Sequence, residues 1–414
     1  MPWKETSAME QRFLLVQAVL RGEESQAALC RRFGISRPTG KKWVGRYQRE
    51  GLLGLLDRSR SPRSHPQQVP RELAALILDL RKQHGSWGPR KLRAWLGERY
   101  PGLRWPAAST IGDLLQRHGL TAPRRRVWRT PPATEPFGTC RQPNDLWCAD
   151  FKGWFRTGDG RRCEPLTLSD AWSRYLLRCQ GMPRIRQDWT RAVFESAFRQ
   201  YGLPQAIRTD NGPPFAGHGL GGLSRLSVWW LKLGIAVERI APGEPQQNGR
   251  HERLHRTLKA ETARPPRADL GSQQEAFDRF RRTYNTERPH EALGQRPPAT
   301  VYRPAERPYP RRPPVVEYPA GLDVRSVRGD GCIKWQGELV FVSELLKAEP
   351  VALAAVADGR WVLYFCTRPL ALIDDHRGRL WPLHQALRRG LVTADVLRSP
   401  FRYAPGASQD VPKV

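Results

Sequence analysis

Three acidic residues occupy positions from which their carboxylates can converge on a metal ion. Asp150 follows the apolar run 146–149, Asp210 follows a short predicted strand at 206–209, and Glu252 lies just inside a predicted helix. Carboxylate oxygens suit Mg²⁺ or Mn²⁺, and two such ions about 4 Å apart activate an attacking oxygen and stabilise a leaving one in phosphodiester chemistry. Taken singly, each acid also has an ordinary explanation, as a turn former or as a partner in a helical ion pair.

The elements that must position these acids form a mixed α/β pattern from about residue 144 to residue 262. Short apolar runs bounded by turn residues predict neighbouring strands, and one stretch has the spacing of a helix. The predicted strands are 146–151, 165–168, 175–179 and 205–209, and the predicted helix is 189–200. Two strand ends and the helix that carries Glu252 can meet at one site.

The composition narrows the class of partner. The 414 residues include 69 Lys or Arg and 40 Asp or Glu, which gives a net charge of +29 and favours a polyanion as partner. Fifteen Trp residues and a hydrophobic share of 39% indicate folded domains. Seven cysteines without a CxxC pair favour a reducing cytoplasm, and no long uncharged apolar run predicts a membrane span.

Residues 1–60 have the pattern of a helix-turn-helix module. Gly34 and Ser36 mark a tight turn, and Pro38 suits the first turn of the helix that follows. Residues 37–63 contain eight Lys or Arg and two acids, as a helix presented to the DNA major groove requires. The residues expected to bind DNA are Arg37, Thr39, Lys41, Lys42 and Arg46. The alternative is a solvated basic face on an ordinary helical hairpin.

The rest of the chain divides by composition. We expect a multidomain protein with all-α N-terminal modules, an α/β catalytic core and a small all-β C-terminal domain. The expected segments after residue 60 are a second helical, winged-helix-like DNA-binding module (61–120), a basic linker (121–143), the core with its following helix (144–305), a small β-barrel-like domain (315–385) and a tail (386–414). In the linker, Arg124, Arg125 and Arg126 are either a DNA-tracking arm or a solubilising spacer.

Three motifs together resemble the catalytic core of insertion-sequence DDE transposases, which are relatives of retroviral integrases. The motifs are Trp147-Cys148-Ala149-Asp150-Phe151-Lys152, Thr209-Asp210-Asn211-Gly212, and the run from Pro245-Gln246-Gln247-Asn248-Gly249-Arg250-His251-Glu252-Arg253 to Thr257-Leu258-Lys259. Arg288-Pro289-His290 looks like the segment that follows that core in the family. The similarity covers roughly residues 1–305, and the motifs are specific as a set.

The resemblance implies a ribonuclease H-like core with Asp150, Asp210 and Glu252 as its metal-binding triad. It implies two Mg²⁺ or Mn²⁺ ions, cleavage and joining of double-stranded DNA at the ends of a mobile element, and a homodimer or larger assembly on DNA. Asn248, Arg256 and Lys259 are expected to hold the DNA backbone. A bacterial, nucleoid-associated location in the cytoplasm follows from the same resemblance.

One spacing departs from the integrase-like pattern. The 41 residues between Asp210 and Glu252 are a few more than that pattern has, which makes Glu252 the least secure member of the triad. The loop 216–222, rich in glycine, can hold the surplus residues.

Three other functions fit parts of the sequence. His251-Glu252-Arg253-Leu254-His255 is a literal HExxH string, which is typical of a zinc metalloprotease. Basic residues recur along this helix, however, and a protease would leave the charge and the helix-turn-helix pattern unexplained. A DNA-binding repressor derived from a transposase, with an inactive core, is the second alternative. A plain nuclease without strand transfer is the third.

Overall fold

The computed structural model describes residues 7–59, 68–121, 140–217, 219–240, 249–312, 314–377 and 379–394. Its internal contacts divide the chain into two units, residues 1–69 and residues 70–414, which are described separately. The arginines Arg124, Arg125 and Arg126 of the predicted linker, and Asn248, lie outside the described residues.

The first unit contains the predicted helix, turn and helix. Its helices are α1 (Ala8–Leu20), α2 (Gln26–Arg32) and α3 (Arg37–Glu50). Ser36 caps α3 by accepting a hydrogen bond from the backbone N–H of Thr39, and Gly34 takes the positive φ that the turn requires. Trp43 packs with Val16 in the small core, so α3 buries one face and leaves the other for a partner.

The second unit begins with three helices around their own apolar core. They are α4 (Arg71–Gln83), α5 (Pro89–Arg99) and α6 (Ala108–Arg117). Ile77, Trp87, Leu92 and Ile111 are each at most 1% exposed. The described stretch 68–121 contains no strand, so the winged-helix type of this module stays a prediction.

A mixed sheet follows, with antiparallel and parallel halves. Its strands are β1 (Leu146–Phe151), β2 (Phe155–Arg156), β3 (Arg162–Asp170), β4 (Leu176–Met182), β5 (Ala206–Thr209) and β6 (Ala236–Arg239). β3 pairs antiparallel with β1, β2 and β4, while β1, β5 and β6 run parallel. The strands predicted in this region are confirmed, because each has a run of apolar residues that the sheet buries.

Four helices accompany this sheet. They are α7 (Gln187–Tyr201), α8 (Arg225–Lys232), α9 (Gly249–Thr262) and α10 (Leu270–Thr286). Phe194 and Phe198 of α7 and Trp230 of α8 pack with Trp147 of β1 in one core. The N-terminal modules, the ribonuclease H-like core and the C-terminal sheet described next make the protein multidomain, as predicted.

The C-terminal residues form antiparallel sheets. The strands are β7 (Asp323–Ser326), β8 (Cys332–Trp335), β9 (Glu338–Phe341), β10 (Pro350–Ala357), β11 (Arg360–Phe365), β12 (Arg368–Asp374) and β13 (Arg379–Pro382), followed by α11 (Leu383–Arg388). The five-stranded sheet has the order β13-β12-β11-β10-β7, and β8 pairs with β9 in a separate hairpin. In these pairings β13 and β7 are the two edges, so the described strands do not close into a barrel.

Within the second unit, the mixed sheet and its helices contact the helical module through polar groups and the C-terminal sheet mainly through apolar side chains. At the helical module, the guanidinium of Arg288 binds Glu261 at 2.8 Å and the hydroxyl of Ser86 at 2.9 Å, and Lys91 donates a hydrogen bond to the carbonyl of Pro289. We call this contact the polar junction.

The contact with the C-terminal sheet is mostly apolar. Leu223, Val228 and Leu231, on and before α8, share one buried cluster with Leu353 and Leu363 of the C-terminal sheet. We call this contact the apolar junction. The described helices include none that is both long and apolar enough to cross a membrane.

Candidate active site

Asp150 and Asp210 stand side by side at the ends of two paired strands. β1 and β5 run parallel with Cys148 opposite Arg208, and each aspartate follows two residues later. Burial raises the pKa of Asp210, and the negative charge of Asp150 raises it further. The two carboxylates therefore lie close enough to repel each other, as the sequence pattern predicted from their strand ends.

This pair of carboxylates fits a divalent cation. Two negative charges brought together at a partly buried sheet end are stabilised by a proton or by a cation between them. Their oxygens are hard ligands of the kind that Mg²⁺ and Mn²⁺ prefer. The side chain of Asp150 keeps 17% of its surface exposed, so solvent can reach it.

Helix α9 lies against this strand end through its histidines. The Nδ1 atom of His255 is 3.9 Å from a carboxylate oxygen of Asp150. The hydroxyl of Thr167, which lies opposite Asp150 in the sheet register, is 3.0 Å from Nε2 of His251 and 2.7 Å from Nε2 of His255. A hydroxyl has only one proton, so at least one imidazole donates its Nε2–H to that oxygen.

The buried histidines explain the HExxH string without zinc. Burial is the main reason that the pKa of His251 falls to about 4 and that of His255 to about 2, so both rings are neutral near pH 7. Both Nε2 atoms are used to bind Thr167, while Glu252, between them in sequence, is exposed. The string holds α9 on β3, and this use of both rings argues against the metalloprotease alternative.

Glu252 is not brought into a three-residue group with the two aspartates. Within the described part of the chain, no group of three or more His, Cys, Asp or Glu side chains lies close enough to hold a metal ion. Glu252 and His255 are three residues apart, so they point about 60° away from each other around α9. His255 lies against Asp150, so the helix that carries Glu252 is next to the two aspartates. The side chain of Glu252 itself is exposed to solvent.

The described residues that were predicted to bind DNA lie on two helices, α3 and α9, where most of them are exposed and Thr39 and Arg46 are half-buried. Arg37, Lys41 and Lys42 are exposed on α3, and Thr39 has its hydroxyl 2.8 Å from that of Ser36 at the helix cap. The guanidinium of Arg46 lies 5.0 Å from the centre of the Trp43 ring.

Arg256 and Lys259 are both exposed on α9, in a different unit from α3. The structure places these two residues on the helix that carries Glu252, and each side chain is open to solvent. This exposure is what a contact with a DNA backbone requires.

Sequence reasoning missed the contacts that hold Asp210 in place. The backbone N–H of Gly212 donates to its carboxylate at 3.3 Å, and the guanidinium of Arg239 donates to its carbonyl at 3.3 Å. Arg239 ends β6, directly beside Thr209 in the register. The sequence does show a basic residue, Arg239, shortly after an apolar run. Its contact with Asp210 could be predicted only if the strand order were already known.

Known domain families match four segments of the chain. Integrase core domain families match residues 141–245 and 233–298, a helix-turn-helix domain family matches residues 11–63, and a homeodomain-like domain family matches residues 39–115. The two integrase core matches include Asp150, Asp210 and Glu252.

Two similar proteins come from bacterial insertion elements. The Insertion element IS476 uncharacterized 39.2 kDa protein of Xanthomonas euvesicatoria is 27% identical over 56% of this chain, and the match spans 65% of that protein, slightly under two thirds. The Insertion element IS407 uncharacterized 31.7 kDa protein of Burkholderia multivorans is 26% identical over 55% of this chain and 79% of its own length.

Among solved structures, the HTLV-2 integrase catalytic core domain in complex with magnesium aligns with 39% of this chain and 97% of its own, at 17% identity and a TM-score of 0.31. A simian T-cell lymphotropic virus intasome chain aligns with 74% of this chain and 96% of its own, at 16% identity and a TM-score of 0.36. The chain therefore contains segments that match integrase core and helix-turn-helix domain families, and it is a homologue of bacterial insertion-element proteins.

Proposed function

We propose that this protein is a DNA transposase of a bacterial insertion sequence, which cuts the ends of its element and joins them to target DNA. The observation that carries the proposal is the pair of carboxylates, Asp150 and Asp210, at the ends of adjacent parallel strands in an integrase core. Asp150 and Asp210, with Glu252 from α9, are the residues that would hold Mg²⁺ or Mn²⁺. Such ions activate oxygen nucleophiles and stabilise leaving oxygens in phosphodiester chemistry.

The reaction proceeds in two substitutions at phosphorus. Water first attacks a phosphodiester at the element end, a new P–O bond forms, and the P–O3′ bond breaks, which leaves a free 3′-hydroxyl on the element. That hydroxyl then attacks a phosphodiester of the target, and the target's own 3′-oxygen leaves with the proton. No covalent bond to the protein is needed, so Asp150 and Asp210 have only to bind and orient.

Other parts of the chain bind the DNA. The exposed basic face of α3 is proposed to read the terminal repeat, and Arg256 and Lys259 hold the backbone near Asp150. Joining two element ends requires two active sites, so the working form is a homodimer or larger assembly on DNA in the bacterial cytoplasm.

A strand-transfer assay tests this function. The purified full chain is mixed with duplexes that carry the element ends, a supercoiled target, and Mg²⁺ or Mn²⁺. The wild type is expected to give joined products, while Asp150→Asn and Asp210→Asn reduce them by at least about 10³-fold, because each removes a charged ligand from the site. Asp188→Asn makes the same chemical change on the exposed start of α7 and is the control.

The outcomes separate the alternatives. Joined products in the Asp150→Asn variant at the wild-type level would reject the assignment. Terminal-repeat binding without cleavage in the wild type would favour the inactive repressor. Cleavage without joining would favour a plain nuclease.

A further inference from the structure

Two arginines donate hydrogen bonds to main-chain carbonyls in and around the loop that follows Asp210. Arg239 donates hydrogen bonds from one guanidinium nitrogen to the carbonyls of Phe215 at 2.7 Å and Gly222 at 3.2 Å. Its other terminal nitrogen reaches the carbonyl of Asp210 at 3.3 Å. One side chain therefore fixes both the start and the end of the loop.

A second arginine reaches the same loop from the C-terminal sheet. Arg368 begins β12, and its guanidinium donates to the carbonyl of Gly221 at 3.1 Å and to that of Val237 at 2.9 Å. Val237 lies on β6, two residues before Arg239. Arg368 thus joins the far side of the loop to the strand that carries Arg239.

The fit between this loop and β12 is close. Gly221 has φ of +63°, and a Cβ atom at this position would lie 2.7 Å from a methyl group of Leu370. Leu370 is 1% exposed and belongs to the apolar junction cluster. Gly221, in the loop 216–222 that was expected to hold the surplus residues, therefore contacts the C-terminal sheet.

Arg239 and Arg368 are two partly buried cations side by side, an arrangement that desolvation and charge repulsion both oppose. Burial, together with the neighbouring positive charge of Arg368, lowers the pKa of Arg239 to about 10, while the negative charge of Asp210 opposes this shift. Burial also lowers the pKa of Arg368. Both guanidiniums nevertheless donate hydrogen bonds to main-chain carbonyls of β6 or of the loop that follows Asp210. These hydrogen bonds hold the loop in one conformation.

We propose that Arg368 is a positioning residue for Asp210, so that the C-terminal sheet completes the active site. Arg368 fixes Gly221 and β6, Arg239 fixes the loop ends and the Asp210 main chain, and the carboxylate is thereby held facing Asp150. This inference rests on the proposed function, because the position of the Asp210 carboxylate matters only if that carboxylate binds a cation.

Mn²⁺ binding to the full chain without DNA tests the proposal, with the free ion measured by electron paramagnetic resonance. Arg368→Gln is expected to weaken Mn²⁺ binding about 10-fold or more, which is the usual effect of removing a partner that orients a metal ligand. Arg368→Lys keeps one donor and is expected to recover part of the affinity. Gly221→Ala, which pushes the loop away from Leu370, is expected to act in the same direction as Arg368→Gln.

Glu349→Gln is the matched control. Glu349 forms an ion pair with Lys232 of α8 at 2.5 Å, so the variant removes the charge of a contact between α8 and the C-terminal domain without changing a residue of the loop. Its Mn²⁺ affinity is expected to equal that of the wild type. Hydrogen exchange in residues 211–224 is expected to rise in Arg368→Gln and to stay unchanged in Glu349→Gln, and thermal unfolding reports whether each variant is folded.

The results distinguish the positioning role from the proposed function. If the wild type binds Mn²⁺, Asp210→Asn does not, and Arg368→Gln and Gly221→Ala bind it as the wild type does, the positioning role alone is rejected. An equal loss in Glu349→Gln also rejects it, because the effect would then be general destabilisation. If Asp210→Asn binds Mn²⁺ as well as the wild type, the proposed function is rejected together with the role that rests on it.

Discussion

The integrase core is attached to its two neighbours by different kinds of contact. At the apolar junction, Leu223 and Val228 share a buried cluster with Leu363 of the C-terminal sheet. At the polar junction, Ser86 of the helical module bonds to both members of the ion pair that Arg288 and Glu261 form within the core. Apolar burial is stable over a wide range of salt and pH, whereas an ion pair and a buried amine respond to both. We therefore expect the C-terminal sheet to unfold together with the core. The attachment of the helical module is expected to depend on salt and pH.

The largest effect is expected from the apolar junction. Leu363→Ala removes a side chain that is 0% exposed and is expected to lower the free energy of unfolding by about 2–5 kcal/mol. Denaturant unfolding measures this change. Hydrogen exchange in α8 should rise as well, because α8 shares the cluster.

Leu339→Ala, at a side chain that is 56% exposed, is the control and should change little. Unchanged exchange in α8 of Leu363→Ala would show that the C-terminal sheet folds separately from the core.

A smaller effect is expected at the polar junction. Arg288→Ala removes the ion-pair partner of Glu261 and one of the two side chains that bind Ser86, and it is expected to lower stability by about 1–2 kcal/mol, because the Glu261 side chain keeps some solvent contact. Hydrogen exchange in residues 70–121 should rise, and the difference from the wild type should shrink at high salt.

Arg90→Ala is the matched control at the same junction. Its ion pair with Glu291 has side chains that are 73% and 74% exposed, so its loss should cost less than about 1 kcal/mol. Equal effects of the two substitutions would show that the buried pair does not hold the module.

The smallest effect is a pH dependence of the polar junction. Burial lowers the pKa of Lys91 from its ordinary value of 10.5 to about 8, with Arg288 adding repulsion and Glu291 and Glu261 opposing it. Between these two pH values the unfolded chain binds the proton and the folded chain has released it, so stability rises with pH in that window. Below pH 8 the amine is charged in both states and contributes no slope.

Thermal unfolding of the wild type and of Lys91→Met from pH 7 to pH 10.5 measures this slope. The wild type should gain stability relative to the variant as the pH increases above 8. Parallel curves for the two proteins would contradict the assigned burial of the amine.

The sequence predicted the parts of the site that depend on local patterns. Asp150 and Asp210 were expected at strand ends because an apolar run precedes each, and the sheet places them there. The role of both aspartates stays a prediction, as does that of Glu252, whose helix was predicted but whose carboxylate faces solvent.

The remaining features depend on contacts between distant parts of the chain. Thr167 binds His251 and His255 across more than 80 residues, and Arg368 reaches Val237 across 131. No local spacing encodes such pairs. For this reason the HExxH string suggested zinc, and the sequence predicted a loop at 216–222 but not its contact with Arg368.

The proposed function requires that Asp150 and Asp210 share a divalent cation. Crystals of the full chain soaked in MnCl₂, with anomalous differences collected at the manganese edge, would reveal such an ion. We expect an anomalous peak within coordination distance of both carboxylates, and its loss in Asp210→Asn. A peak on His251 and His255, or none near Asp150 when manganese is bound elsewhere in the crystal, would contradict the claim.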